Sequence, residues 1–287
     1  MKTLKHYFER AEKERFAIPQ FNFSDFNQLE SIVEKCAELK SPVILGTSEG
    51  ESKFFGLEEA VALRDVLRKK TGLPIFLNLD HGKSFEYLRQ ALDAGYDMVH
   101  FDGSKLPLDE NIKIAKEVVK YAKKKGALVE GEVGKIGTDG SKLYSEKFEI
   151  KEEDLTKPDD AFKFLTETKV NLLAISMGNF HGIEISGIDP NLRLDVLKAV
   201  KEKTNALLVL HGGSGTPEDD IREAIIMGIV KININTELRL AFSGNLRRFL
   251  KDNPEEIVPY KFMVDAKSAV AKITGIKINL FGSQNKA

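Results

Sequence analysis

Short apolar runs rich in β-branched residues recur eight times along the chain, and each is followed by a stretch with the period of a helix. The runs are "AIPQFNF" (17–23), "PVILGTS" (42–48), "PIFLNLD" (74–80), "DMVHFD" (97–102), "ALVEGEV" (127–133), "NLLAISMG" (171–178), "ALLVLHG" (206–212) and "IVKININ" (229–235). The helical stretches occupy 25–40, 57–70, 84–94, 109–125, 158–168, 191–203, 217–227 and 236–251. Strands that alternate with helices in this way bury both faces only in a parallel sheet covered by those helices. Eight such units predict a closed (β/α)8 TIM barrel. The pattern adds an extra N-terminal helix before the first strand and a C-terminal helical extension from Asp265 to Asn279. No low-complexity linker divides the 287 residues, so 1–287 is read as a single barrel domain.

A barrel enzyme carries its chemistry at the C-terminal ends of its strands. Polar residues stand there from the third strand to the eighth: Asp80-His81, Asp102, Glu130 and Glu132, His181, His211, then Asn233 and Asn235. The chain has only five histidines, and three of them, His81, His181 and His211, are each followed at once by glycine. Three neutral imidazoles converging from different strands suit a zinc ion with one position open for substrate or water. Glu132 is placed to join or replace a ligand, and Asp102 to orient one. Glycine beside each imidazole would let substrate oxygens approach the metal and the backbone. His6 and His100 read as structural. Strand alternation sends Asp80 and His81 to opposite faces, so the chain must turn between them for both to reach one site.

Phosphate chemistry is the second signal. "HGGSGTPEDDI" puts Gly212, Gly213 and Ser214 ahead of the seventh helix, and "NINTELRLAF" puts Asn235 and Thr236 at the start of the eighth. Loops after strands seven and eight that lead into helix N-termini form the common phosphate site of barrels.

Charge excludes other classes. Lysine plus arginine (43) and aspartate plus glutamate (44) nearly cancel, so no overall field favours nucleic acid or an anionic membrane as a partner. The single Cys36 excludes an internal disulfide and a paired-cysteine metal site. No signal-peptide core and no long apolar run are visible, and a cytoplasmic protein is expected.

These motifs resemble the class II, zinc-dependent fructose-bisphosphate and tagatose-bisphosphate aldolases. The likeness runs from "IPQFNF" through "LNLDHG", "HFDGSKLPLDENI", "VEGEVG", "GNFHG", "LHGGSG" and "KININTELRLAF" to the terminal "LFGSQNKA". It implies Zn2+ held by His81, His181 and His211, with Glu132 as an alternate contact and Asp102 near the metal. It also implies Asp80 as the acid/base at the aldehyde-end hydroxyl, and a monovalent cation as a further cofactor. Asn22, Gly182, Gly212, Gly213, Ser214, Asn233, Asn235 and Thr236 would surround the substrate and the dihydroxyacetone phosphate moiety. The implied reaction is reversible aldol cleavage of a ketose bisphosphate, fructose 1,6-bisphosphate first and tagatose bisphosphate or a related ketose phosphate as the alternative. The implied assembly is a homodimer or homotetramer.

The chain departs from the family in two places. Where many members carry a glycine pair followed by acidic residues, this one reads "GKIGTDGSKLYSE" within a long connection, 134–157. Asp139 and Glu146 are its candidates for the base that forms the enediolate, and solvated loop carboxylates are the alternative. Where relatives carry an arginine for the far phosphate, Lys267 stands, with Ser48 and Lys53 as further contacts. Three rival readings remain: a Schiff-base aldolase using the inward-facing Lys231, a metal-dependent hydrolase, which would carry a His-x-His pair where this chain has "QFNF", and a non-catalytic barrel assisting another aldolase.

Overall fold

Each apolar run becomes a strand because nearly every residue in it is shielded on both sides, which only a parallel sheet wrapped in helices can provide. The computed structural model of the chain describes residues 2–137, 140, 142–185 and 189–287. The strands are β1 (Ile18–Asn22), β2 (Val43–Ser48), β3 (Ile75–Gly82), β4 (Met98–Phe101), β5 (Leu128–Val133), β6 (Leu172–Ile175), β7 (Leu208–Leu210) and β8 (Ile229–Ile234). Among the described residues they close in chain order, β1 pairing in parallel with both β2 and β8. The expected (β/α)8 barrel is therefore the fold.

β6 and β7 are shorter than the apolar runs that predicted them. His181 consequently lies in a loop beyond Ile175, and His211 just past the end of β7. The second connection also differs, since it holds a helix Glu49–Phe55 before the expected one, now Leu57–Thr71. Gly56, with φ of +96°, is the break between the two. Ser48 caps the short helix by accepting from the Glu51 N–H while Glu51 reaches back to the Ser48 N–H.

The barrel interior changes character along its axis. One end is apolar, built from Ile18, Ile44, Phe76, Met98, Leu172, Val209 and Val230, and the N-terminal helix Leu4–Glu14 covers it with Leu4, Tyr7, Phe8 and Ala11. Phe8 is fully buried there, and truncating such a side chain to alanine costs about 3–5 kcal/mol. Above this layer the interior turns polar and is threaded by side-chain hydrogen bonds, as Asn78 donates to Gln20 and Gln20 to Asn22. On the outside of the barrel the C-terminal helix Val264–Leu280 packs against Thr236–Asp252 and Phe26–Glu38, and the carbonyl of Phe281 just past it accepts from the Ala17 N–H beside the start of β1.

The long connection after β5 is ordered by the next one. Leu143–Tyr144 pairs in parallel with Ile183–Glu184, and Gly137 bridges to Phe180. Phe148 stacks on Phe180 with ring centroids 4.5 Å apart.

Candidate active site

A cavity of about 630 Å³ opens at the C-terminal ends of the strands. Asp80, His81, Asp102, Glu132, His181, His211, Asn233 and Asn235 all line it. Asp80 and His81 both reach it because the chain turns between them. His81 has φ of +52°, and the register of β3 on β4 breaks between Leu79 and Gly82. Left-handed backbone swings the imidazole from the outer side of the sheet into the mouth of the barrel.

The three glycine-flanked histidines meet. The His81 ring lies 4.6 Å from that of His181 and 4.7 Å from that of His211, and His181 and His211 are 5.9 Å apart. His211 Nδ1 and His81 Nε2 approach to 3.0 Å. Asp102 accepts from His81 Nδ1 at 3.0 Å and fixes that ring. Burial, followed by the neighbouring His81 and His211, holds His181 well below the usual histidine range. Burial likewise lowers His211 to about 3. Both are thus neutral, as metal ligands must be. His81 is pushed up, because Asp80 and then Asp102 outweigh its burial. Glu132 is raised by burial and then by Asp102, and its buried Oε2 lies 3.2 Å from His100 Nε2 and 3.9 Å from His81 Nδ1. The ligand atoms of His81, Asp102 and Glu132 all lie within 4.8 Å of one another. This donor set fits a zinc ion.

Asp80 is gripped from two sides. Asn22 Nδ2 donates to one carboxylate oxygen and Asn233 Nδ2 to the other, each at 3.0 Å. Burial opposes its charge, yet His81, His100 and His211 hold it well below the usual carboxylate range. Asn22, read from the sequence as a substrate contact, therefore spends its amide on Asp80 and on Glu51.

Phosphate-site residues Gly182, Gly212, Ser214, Asn235 and Thr236 line one wall. The helix Thr236–Asp252 opens there with no cap from its own Asn235, and Ser214 Oγ accepts from the Glu237 N–H at 3.3 Å, which ties the two phosphate loops together at the helix start. Gly213 does not line the cavity: its N–H is taken by the Asn233 carbonyl, and a Cβ would press on Ile232 and Ile234. The glycines beside the histidines also have a reason the sequence did not show. A Cβ on Gly212 would fall 1.9 Å from the Phe180 carbonyl oxygen, and one on Gly82 would fall 2.5 Å from the Leu88 side chain. Close packing of chain on chain, rather than substrate approach alone, excludes a side chain there.

Several expectations need correction. His100 does not line the cavity but adjoins its ligands: it packs 4.6 Å from the His81 ring, and Glu130, Asp80 and Glu132 push it up to about 10 against its burial. Its inward position was legible, since His100 precedes Asp102 by two residues on one strand. Lys231 points inward but does not line the cavity, because its ammonium is fully buried and paired with Glu130 at 2.8 Å. That disfavours an imine-forming role. Glu146 is exposed and absent from the cavity wall. Asp139 lies outside the described residues. Lys267 does not line this chain's own cavity, its ammonium standing 2.5 Å from Glu30 on the neighbouring helix, and in relatives the matching arginine often serves a neighbouring subunit. Lys53, Lys83 and Lys105 line the cavity with Ser48 and Ser104, at the end of β2 and beyond β2, β3 and β4, across the closed barrel from the phosphate loops after β7 and β8. Sequence reading did not single out Lys83 and Lys105, since lysines in polar loops look solvated.

A family model described as "Fructose-bisphosphate aldolase class-II" matches residues 2–286. Among curated proteins, 6-phospho-5-dehydro-2-deoxy-D-gluconate aldolase of Bacillus subtilis (strain 168) is 36% identical over 288 residues, 99% of this chain and 97% of that protein. Among solved structures, the YdjI aldolase from Escherichia coli K12 superposes with a TM-score of 0.83 at 30% identity over 100% of both chains. Fructose-bisphosphate aldolase from Campylobacter jejuni superposes equally well, TM-score 0.83, over 99% of this chain and 95% of that one. At 22% identity that last likeness speaks for the fold.

Proposed function

The chain belongs to the class II fructose-bisphosphate aldolase family, and from that premise we propose that it cleaves a ketose phosphate whose departing aldehyde ends in an anionic group. Family membership makes it a lyase acting on phosphorylated sugars. The finer reading rests on one observation: the histidine cluster and Asp80 lie between two walls, each suited to an anion. One is the Gly212–Ser214 loop with the start of the helix at Thr236, and the other carries Lys53, Lys83 and Lys105. A substrate anchored by its phosphate at the first wall must extend its other end towards the second.

Zinc, held in this reading by His81, His181 and His211 with Glu132 in reserve, supplies Lewis-acid polarisation of the ketone. The chain's own residues do the rest. Asp80, ionised and aimed by Asn22 and Asn233, takes the proton from the hydroxyl that becomes the aldehyde. Asp102 holds the His81 ring. Two far ends fit the lysine wall. Fructose 1,6-bisphosphate offers a phosphate and releases glyceraldehyde 3-phosphate. The sugar acid in the name of the Bacillus relative offers a carboxylate and, broken between C3 and C4, releases 3-oxopropanoate. The length of that relationship favours keeping it as a second reading. Cleavage assays on both compounds, with and without chelator, test the proposal. Turnover of either that stops with chelator supports it, and turnover of neither, with zinc present, refutes it.

A further inference from the structure

Lys231 is a lysine with none of its surface exposed, and the reaction as derived gives it nothing to do. Its ammonium makes two contacts. One runs to Glu130 Oε2 at 2.8 Å, and the other to Asn233 Oδ1 at 2.8 Å. Each partner uses its remaining polar atom on the site above. Glu130 Oε1 lies 2.6 Å from His211 Nε2, and Asn233 Nδ2 donates to Asp80 Oδ1 at 3.0 Å.

We propose that Lys231 is a positioning residue that sets, through Glu130, which nitrogen of His211 faces the metal and, through Asn233, which way Asp80 points. The argument rests on the aldolase reading of the cavity. A carboxylate bound to an ammonium on one oxygen offers its other oxygen as an acceptor only, so His211 carries its proton on Nε2. That leaves Nδ1, which lies 3.0 Å from His81 Nε2 and 3.3 Å from Asn233 Nδ2, unprotonated, with the lone pair a metal needs. The same logic orients the amide of Asn233. Its oxygen is claimed from below by a group that can only donate, so its NH2 must face upward, where Asp80 can only accept. One buried charge thus ties the metal-holding and proton-carrying halves of the site together, across β3, β5, β7 and β8.

Three measurements test this. In the wild-type chain without metal, 15N spectra of the histidine rings should show His211 protonated on Nε2; protonation on Nδ1 overturns the proposal. Lys231→Met should weaken zinc binding, read by competition with a chromophoric chelator, by about 10- to 100-fold. Reloaded with zinc, it should lose kcat while the KM for dihydroxyacetone phosphate stays unchanged. Because that variant strands Glu130 in the interior, the charge-neutral pair Lys231→Met with Glu130→Gln is the control for folding. The pair should show the same loss of zinc affinity. Zinc affinity within twofold of wild type in a folded variant of either kind would make Lys231 a merely structural ion. The aldolase reading is checked separately by exchange of the carbon-bound proton of dihydroxyacetone phosphate on the wild-type enzyme. Zinc affinity and the tautomer stand whether or not that exchange is seen.

Discussion

The floor of the cavity and its loop-borne wall hold their histidines by different means. On the floor, His211 and Asp80 stand on or just past barrel strands and are fixed through side chains: Glu130 and Lys231 for the first, Asn22 and Asn233 for the second. On the wall, His181 sits in the loop after β6 and is placed through backbone. Its N–H donates to the Gly137 carbonyl at 3.0 Å, and the ring of the preceding Phe180 is clamped by Phe148. The floor should therefore answer to changes of charge and hydrogen bonding, and the wall to changes of shape.

The largest effect tests what the two regions share. His81→Ala, His181→Ala and His211→Ala should each abolish zinc binding and lower kcat/KM by roughly 1,000-fold or more, with the fold kept by circular dichroism. Stoichiometric zinc retained in the His181 variant alone would detach the wall from the metal centre. Next in size, Asp80→Ala should keep its zinc and lose cleavage by about 100- to 10,000-fold, yet still exchange the dihydroxyacetone phosphate proton. If exchange falls in step with cleavage, Asp80 serves enolisation instead.

The wall is probed by shape. A Cβ on Gly137 would fall 2.3 Å from the Phe180 ring, so Gly137→Ala must displace that ring, which stacks on Phe148 next to His181. A misplacement of about 1 Å is worth up to about 100-fold in kcat. We expect a loss of about 10- to 100-fold in kcat with circular dichroism unchanged, and an unaltered kcat would show that the loops are not coupled. The lysine wall comes next. The Lys83 ammonium has no ion pair among the described residues, and Lys83→Ala should raise KM about 10-fold for an anionic aldehyde in the condensation direction, leaving a neutral aldehyde unaffected. Equal KM changes for both aldehydes would remove the lysine from recognition. Smallest is Lys267→Ala, which breaks a partly exposed pair with Glu30 worth about 0–1 kcal/mol. Its kinetics should match wild type within a factor of two, and a sharp rise in KM for the bisphosphate would restore its reading as a far-phosphate contact.

The same division explains what could be read from the sequence. Floor residues were legible because each stands at the end of an apolar run, and strand parity tells which of them face inward. Asp80, His81, His211 and Asn233 follow from that rule once a turn at His81 is allowed. His100, Glu130 and Lys231 obey the same parity but sit one layer deeper: His100 reads as structural there, Glu130 only as one more polar strand end, and Lys231 only as the inward lysine of a rival imine chemistry. Their partners are on other strands: pairing of β4 with β5 sets His100 beside Glu130, and the curl of the sheet into a barrel brings Lys231 of β8 to Glu130. The wall was hardest. Glu146 and Lys267 were placed by counting along loops and along a terminal helix, and neither has a period that fixes where a side chain points. The glycines were read for one reason and kept for another, because the close approach of Phe180 to Gly212 is a tertiary contact.

The turn at His81 sets fold and chemistry against each other. A side chain held at φ of +52° costs about 1–2 kcal/mol that glycine would not incur. Selection of variants by melting temperature alone will therefore drift towards glycine or asparagine at this position and discard the imidazole on the way. Improved heat resistance with vanished turnover is the signature to expect from such a campaign, and position 81 is the first to hold fixed when the protein is engineered for durability.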